Sequence, residues 1–337
     1  MREEYELEVL EKYDLEVRST RKIRGAFFCD TNEGTMLFGE TKMSERHALF
    51  LYQVLSRLET SGNIKVDTPV CTKEGEILAD AGDGRRYMLR KWYCGRECDV
   101  RQEEEAVRAA GQLAVLHEKL GDGQIRELCC VFPDAVRQAT PPMEEIRRHN
   151  RELKKVRRFM RGRAVKNEFE YLFLDSFEQM YGIAERVAER MELSGCPALY
   201  AAEAGEGRLL HGAYNYHNLL ICGNDTAVTD FEHMKRGIQV YDLYYFLRKV
   251  MEKYSWKQKT GQKLLGAYES IRMLRPEERE YIGLMLAYPE KYWKTASGYY
   301  HSNKAWIPEK NREKLGLVLR QCGEKKAFLQ QIFSIDI

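Results

Sequence analysis

The sequence predicts an α+β, bilobal chain in which a small antiparallel-sheet lobe with one helix, residues 1–93, precedes a larger, mainly helical lobe, residues 94–337. Three observations support that division. Short apolar runs separated by glycines fill the first part, the composition changes at Cys94 to Arg96, and beyond it apolar residues recur at helical spacing. A chain of 337 residues also exceeds what one small core uses.

Residues Lys22 to Asp30 and Thr35 to Phe38 are apolar enough for strands, and Thr31, Asn32, Glu33 and Gly34 are turn formers, so an antiparallel hairpin is predicted. Ser44 opens a helix with Leu49, Phe50, Val54, Leu55 and Leu58 on one stripe and Ser61-Gly62 as its stop. Short strands follow around Val66, Ile77 and Tyr87 to Tyr93. Past the boundary, Asp99 can cap a long helix that carries Ala106, Ala109, Ala110, Leu113, Leu116 and Leu120. Residues 144–192 read as two helices, the first strongly basic between Arg147 and Lys166. A solvated face is the ordinary reading of such a run, and a docking surface for an acidic partner the sharper one. Residues 242–272 and 276–333 are again helical, with Pro276, Pro289 and Pro308 at starts or connections. Tyr288, Tyr292, Trp293, Tyr299, Tyr300 and Trp306 are spaced for packing within these helices, with a partner patch as the alternative.

Composition narrows the function classes. With 54 Lys+Arg against 52 Asp+Glu, the net charge of +2 creates no global field for nucleic acid or anionic membrane. Met1 to Tyr13 lacks a basic-then-apolar signal pattern, and no window reaches the roughly 18 apolar residues of a membrane span, so a cytoplasmic protein is expected. The nine cysteines form no dyads at zinc-ligand spacing and are expected to be reduced thiols.

The chemistry concentrates in one polar loop, residues 211–232, which begins His211-Gly212-Ala213-Tyr214-Asn215-Tyr216-His217-Asn218 and ends Thr229-Asp230-Phe231-Glu232. An Asn precedes one short apolar strand, an Asp follows another, and Gly223-Asn224-Asp225 turns between them. Antiparallel pairing would bring Asn218 and Asp230 to the same end of the hairpin, where an amide oxygen and a carboxylate can share one hard cation such as Mg2+. Either residue alone reads as a turn former or a cap; together with His211-Gly212 and Asp242-Leu243 they point to a site.

These residues resemble the Brenner motif, His-Gly-Asp followed by Asn and then Asp-Phe, of the aminoglycoside phosphotransferase and choline kinase group, which has the bilobal protein-kinase-like fold. The closer resemblance is to the CotS-type spore coat proteins. It rests on Val9 to Leu15, on Trp92 to Cys98, on Val240 to Leu243 with Phe246 to Lys249, on Tyr288 to Lys294 and on Lys304 to Lys310. The resemblance implies ATP and Mg2+ as cofactors, with Asn218 and Asp230 as metal ligands and nucleotide-binding residues. It implies that Asp242 and His211 support the loop. It further implies other spore coat proteins as partners, and a location in the mother-cell cytoplasm and then the spore coat.

Two positions depart from the family pattern. The catalytic base position is Ala213, whose methyl group cannot accept a proton, so no catalytic residue is retained there. The phosphate-pairing lysine is expected near position 39, which is Gly39. Lys42 is the nearest substitute, but residues three apart on a strand face opposite sides, so it needs a bulge to point inward. Glu232 is the best replacement base, and a weak one. Losing a general base costs about 10² to 10⁴ in rate, so the expectation is a pseudokinase that acts by binding in coat assembly. The alternatives are a Mg-ATP-dependent small-molecule phosphotransferase with an unusual base, and a protein that binds nucleotide without transferring phosphate.

Overall fold

The structure, a computed structural model, describes residues 6, 8–23, 25–60, 64–302 and 308–337. The helix stop at Ser61-Gly62, Lys304 to Ile307 of the coat-family signature, and with them Trp306, lie outside the described residues. Contacts group the chain into two compact units, Met1–Gln138 with Glu206–Asp242 and Ala139–Gly205 with Leu243–Ile337. The boundary expected at residue 94 falls inside the first unit.

Among the described residues, the first unit holds all the sheets. A six-stranded sheet has the order β1 (Val17–Ile23), β2 (Ala26–Thr31), β3 (Gly34–Thr41), β7 (Arg86–Lys91), β5 (Pro69–Val70), with β6 (Ala79–Asp80) also on β7. The expected hairpin is therefore a three-stranded meander. Gly25, at φ +89°, reverses the chain inside the run Lys22 to Asp30, and β1 escapes notice because its edge position leaves all but one of its residues exposed. Alternation along β2, β3 and β7 puts Phe27, Cys29, Met36, Phe38, Tyr87 and Leu89 on one face, closed over by Val9, Leu10 and Tyr13. Phe38 stacks on Tyr87 with ring centroids 5.1 Å apart. The same alternation turns Leu37, Gly39, Met88 and Arg90 to the opposite face.

Glu45–Thr60 is the expected helix of this region, buried through Ala48, Phe50, Leu51, Val54, Leu55 and Leu58. Leu49 lies off the stripe and is 39% exposed. The long helix Glu103–Leu120 buries Ala106, Ala109, Ala110, Leu113, Leu116 and Leu120 as predicted, but Gln102 stands at its cap position and Asp99 does not. The Asp99 carboxylate instead accepts the Arg101 backbone N–H at 3.1 Å, a local turn that competes with capping. A second sheet, β4 (Lys65–Val66), β11 (Asp225–Val228), β10 (Leu219–Cys222), β8 (Arg96–Glu97), joins segments far apart in sequence. A two-stranded sheet pairs β9 (Leu209–Leu210) with β12 (Lys235–Arg236).

The second unit is helical. Its basic helix, Pro142–Gly162, opens with Pro at its first turn, and Glu168–Leu193 opens with a capping box between Asn167 and Glu170. Glutamates seven residues apart on the second helix meet basic residues of the first: Glu192 meets Arg147 at 2.7 Å, Glu185 meets Lys154 at 3.6 Å, and Glu178 pairs with Arg157. Part of the basic face is thus neutralised within the unit. Tyr288 and Tyr292 are buried, and Trp293 donates Nε1–H to Glu152, so these aromatics pack, while Tyr300 is partly exposed. All nine cysteines are free thiols. Among the described residues no helix is long and apolar enough to cross a membrane.

His149 is buried and stacks on Trp293, ring centroids 3.4 Å apart. Burial pushes its imidazole pKa down to about 4, against the pull of Glu290. Between that value and the unfolded value near 6.5 the unfolded chain binds the extra proton. The stabilisation is therefore complete above about pH 6.5 and is lost as pH falls toward 4, by about 1 to 3 kcal/mol. His149→Gln should flatten the pH dependence of Tm in that window; an unchanged slope would remove His149 as its cause.

Candidate functional site

The hairpin β10–β11 builds the site. Leu219 pairs with Val228, Leu220 with Ala227, Ile221 with Thr226 and Cys222 with Asp225, and Gly223 takes φ +63° in the turn. Antiparallel pairing then returns Thr229 to Asn218: the Thr229 N–H donates to the Asn218 carbonyl at 2.9 Å. Asn218 Nδ2 lies 3.1 Å from Asp230 Oδ2 and also donates to the Ala213 carbonyl at 3.0 Å. Asn218, Asp230 and Ala213 are thus brought together. Asp230 itself adopts the left-handed conformation, φ 66° and ψ 55°, which costs a non-glycine residue about 1 to 3 kcal/mol.

A buried carboxylate holds the loop in place. Asp242 accepts the backbone N–H groups of His211 at 2.6 Å and of Gly212 at 2.9 Å, and lies 3.5 Å from His117 Nε2. His211 Nδ1 accepts the Ala213 N–H at 3.2 Å, so Nε2 carries the proton and donates to the Thr229 carbonyl at 3.0 Å. Burial lowers the pKa of this imidazole and keeps it neutral. Gly212 is required, since φ is +79° and a Cβ would fall 2.2 Å from the His233 carbonyl oxygen. The supporting parts expected of His211 and Asp242 have this geometry.

Other expected residues lie differently. Position 213 carries a methyl group; Asn215 caps the short turn Tyr216–Asn218, and His217 is exposed against Glu97 at 2.7 Å. Glu232, at the end of the loop, has its Oε1 3.3 Å from Arg90 Nη1 in an ion pair. Strand β3 pairs without a bulge from Gly34 to Thr41, and Lys42 is exposed beyond its end, so nothing turns Lys42 inward.

Two residues come to the site unannounced. Asp67 is buried, and its Oδ2 accepts the Asp230 backbone N–H at 2.9 Å and lies 3.3 Å from Arg90 Nη1. Burial raises its carboxyl pKa to about 7, with Arg90 opposing. The only signs in the sequence are charges beside short strand-like runs, Asp67 after Ile64-Lys65-Val66 and Arg90 after Tyr87-Met88-Leu89.

The donors suit Mg2+. A carboxylate and an amide are hard oxygen ligands. Among the described residues no three His, Cys, Asp or Glu side chains converge as a metal cage. Asn218 and Asp230 therefore fit an ion whose remaining positions are taken by phosphates and water.

Sequence comparison matches residues 42–279 to the phosphotransferase enzyme family, APH. No curated protein sequence matches the chain. Among solved structures it is similar to an aminoglycoside phosphotransferase from Alicyclobacillus acidocaldarius, with TM-score 0.85, 19% identity, and coverage of 98% of this chain and 96% of that one. It is also similar to a spectinomycin phosphotransferase in complex with ADP and spectinomycin, with TM-score 0.64, 11% identity and 97% and 98% coverage. A microcompartment-associated aminopropanol kinase gives TM-score 0.56, 14% identity and 96% coverage of each chain. These likenesses show the fold, the α+β, bilobal, kinase-like one.

Asp242→Ala should leave the buried His211 N–H and the half-buried Gly212 N–H without their acceptor and cost about 2 to 4 kcal/mol. Calorimetry should then record a fall in Tm of several degrees, whereas a wild-type Tm would show that the loop does not depend on this carboxylate.

Proposed function

The chain belongs to the phosphotransferase enzyme family, and from that premise we propose that it binds Mg-nucleotide in the loop 211–232 with impaired or absent phosphotransfer and acts through binding. The observation that carries this reading is the pair Asn218 and Asp230, held 3.1 Å apart, with Asn218 also bonded to the backbone carbonyl of Ala213. Asn218 and Asp230 would hold Mg2+, which when bound neutralises phosphate charge. The loop residues keep those two ligands in place through Asp242 and His211. None of them stands ready to take a proton from an acceptor hydroxyl.

The biological setting we propose is the spore coat, with other coat proteins as partners, reached from the mother-cell cytoplasm. It is supported by the resemblance in Trp92 to Cys98 and Tyr288 to Lys294. A fluorescent fusion in a sporulating host should collect at the forespore surface; diffuse fluorescence throughout the mother cell would remove the coat assignment.

A second reading, a small-molecule phosphotransferase using another base, is favoured by the family match itself. Purified protein decides between the two. Mg2+ with ATP should raise the Tm of the wild type and not of Asp230→Ala, while no phosphorylated product forms from sugar, amino-alcohol or aminoglycoside acceptors. Product formation that Asp230→Ala abolishes would establish the second reading.

A further inference from the structure

A nucleotide site of this kind needs a cation against the phosphates, and position 39 cannot supply it. Strand register shows what stands nearby. On β3 and β7, Leu37 is paired with Arg90 and Gly39 with Met88, so Arg90 shares the face of Gly39 one diagonal step away. That spacing, about 7 Å between Cα atoms, is within the reach of an arginine side chain.

The Arg90 guanidinium is also tied to the metal-ligand end of the hairpin. Its Nη1 lies 3.3 Å from Asp67 Oδ2, and that oxygen accepts the N–H of Asp230. The same Nη1 is 3.3 Å from Glu232, two residues beyond Asp230. Both ion pairs fall on one nitrogen, and Arg90 Nε is buried with no partner among the described residues. A planar guanidinium with donors to spare is suited to phosphate oxygens. A charge placed only to balance Asp67 would not need to stand on the face that Gly39 leaves open.

We propose that Arg90 supplies, from the neighbouring strand, the phosphate-pairing cation that Gly39 lacks. This rests on the reading of the loop as a Mg-nucleotide site and identifies the residue that recognises the phosphates there. Glu232 and Asp67 hold the guanidinium in position, and the phosphates of a nucleoside triphosphate are its ligand.

Calorimetric titration of the purified chain with Mg2+ and ATP, and separately with adenosine, tests it. Arg90→Gln should weaken ATP binding tenfold or more and leave adenosine binding unchanged; Arg90→Lys should retain part of the ATP affinity. Gly39→Lys in the Arg90→Gln background should recover affinity, since a Cβ at 39 meets only Ala26, its Cβ at 3.4 Å and its Cα at 4.0 Å, both ordinary distances. If Arg90→Gln does not fold, Asp67→Asn with Arg90→Gln removes the buried carboxylate together with its partner and reads the same ratio. Wild-type ATP affinity in a folded variant lacking Arg90 overturns this assignment alone. Failure of the wild type to bind ATP overturns it together with the nucleotide reading.

Discussion

Two backbone N–H groups converging on one buried carboxylate hold the site together. Asp242 takes the N–H of His211 and of Gly212, and this fixes where the loop begins. From there the chain has little freedom. Gly212 passes too close to the His233 carbonyl for any side chain, and the His211 ring spans from the Ala213 N–H to the Thr229 carbonyl. The loop start is thereby joined to the end of β11. Asn218 and Asp230 meet because both ends of the hairpin are held in this way, and the left-handed backbone of Asp230 is maintained by the surrounding bonds.

Much of this was legible in the sequence because it depends on local patterns. Two four-residue strands around a Gly-Asn turn give a register, and the register puts Asn218 beside Asp230. Ala213 and Gly39 are visible as missing functional groups against a family pattern. Asp67 and Arg90 were not legible, because their relation to Asp230 comes from pairing between segments far apart: β4 runs parallel to β11, and β7 lies beside β3. A charge beside a short strand-like run carries no label for which face it occupies. The first strand was missed for the opposite reason, since an exposed polar edge shows no alternation. Asp99 was misread because a carboxylate can close its own turn as readily as cap the next helix.

The balance of retained and lost groups gives the functional argument its direction. Asn218, Asp230, His211 and Asp242, the residues proposed for metal ligation and loop support, are all present and joined by hydrogen bonds through one loop. At position 213, where the family resemblance expects the proton acceptor, a methyl group stands. For the positive charge expected at position 39 the proposed counterpart is Arg90, already in contact with Asp67 and Glu232. In the second unit, the basic helix spends part of its charge on Glu178, Glu185 and Glu192. Exposed pairs of this kind contribute little stability, so they orient two helices more than they hold them together.

The central claim is that Asn218 and Asp230 still hold a metal with nucleotide phosphates. Electron paramagnetic resonance of Mn2+ with ADP, recorded with and without the protein, tests it most directly because it reports the metal's surroundings and needs no turnover. The account predicts that the wild type changes the Mn2+-ADP spectrum at one site per chain and that Asn218→Ala does not. A Mn2+-ADP spectrum unaffected by saturating wild-type protein would contradict it.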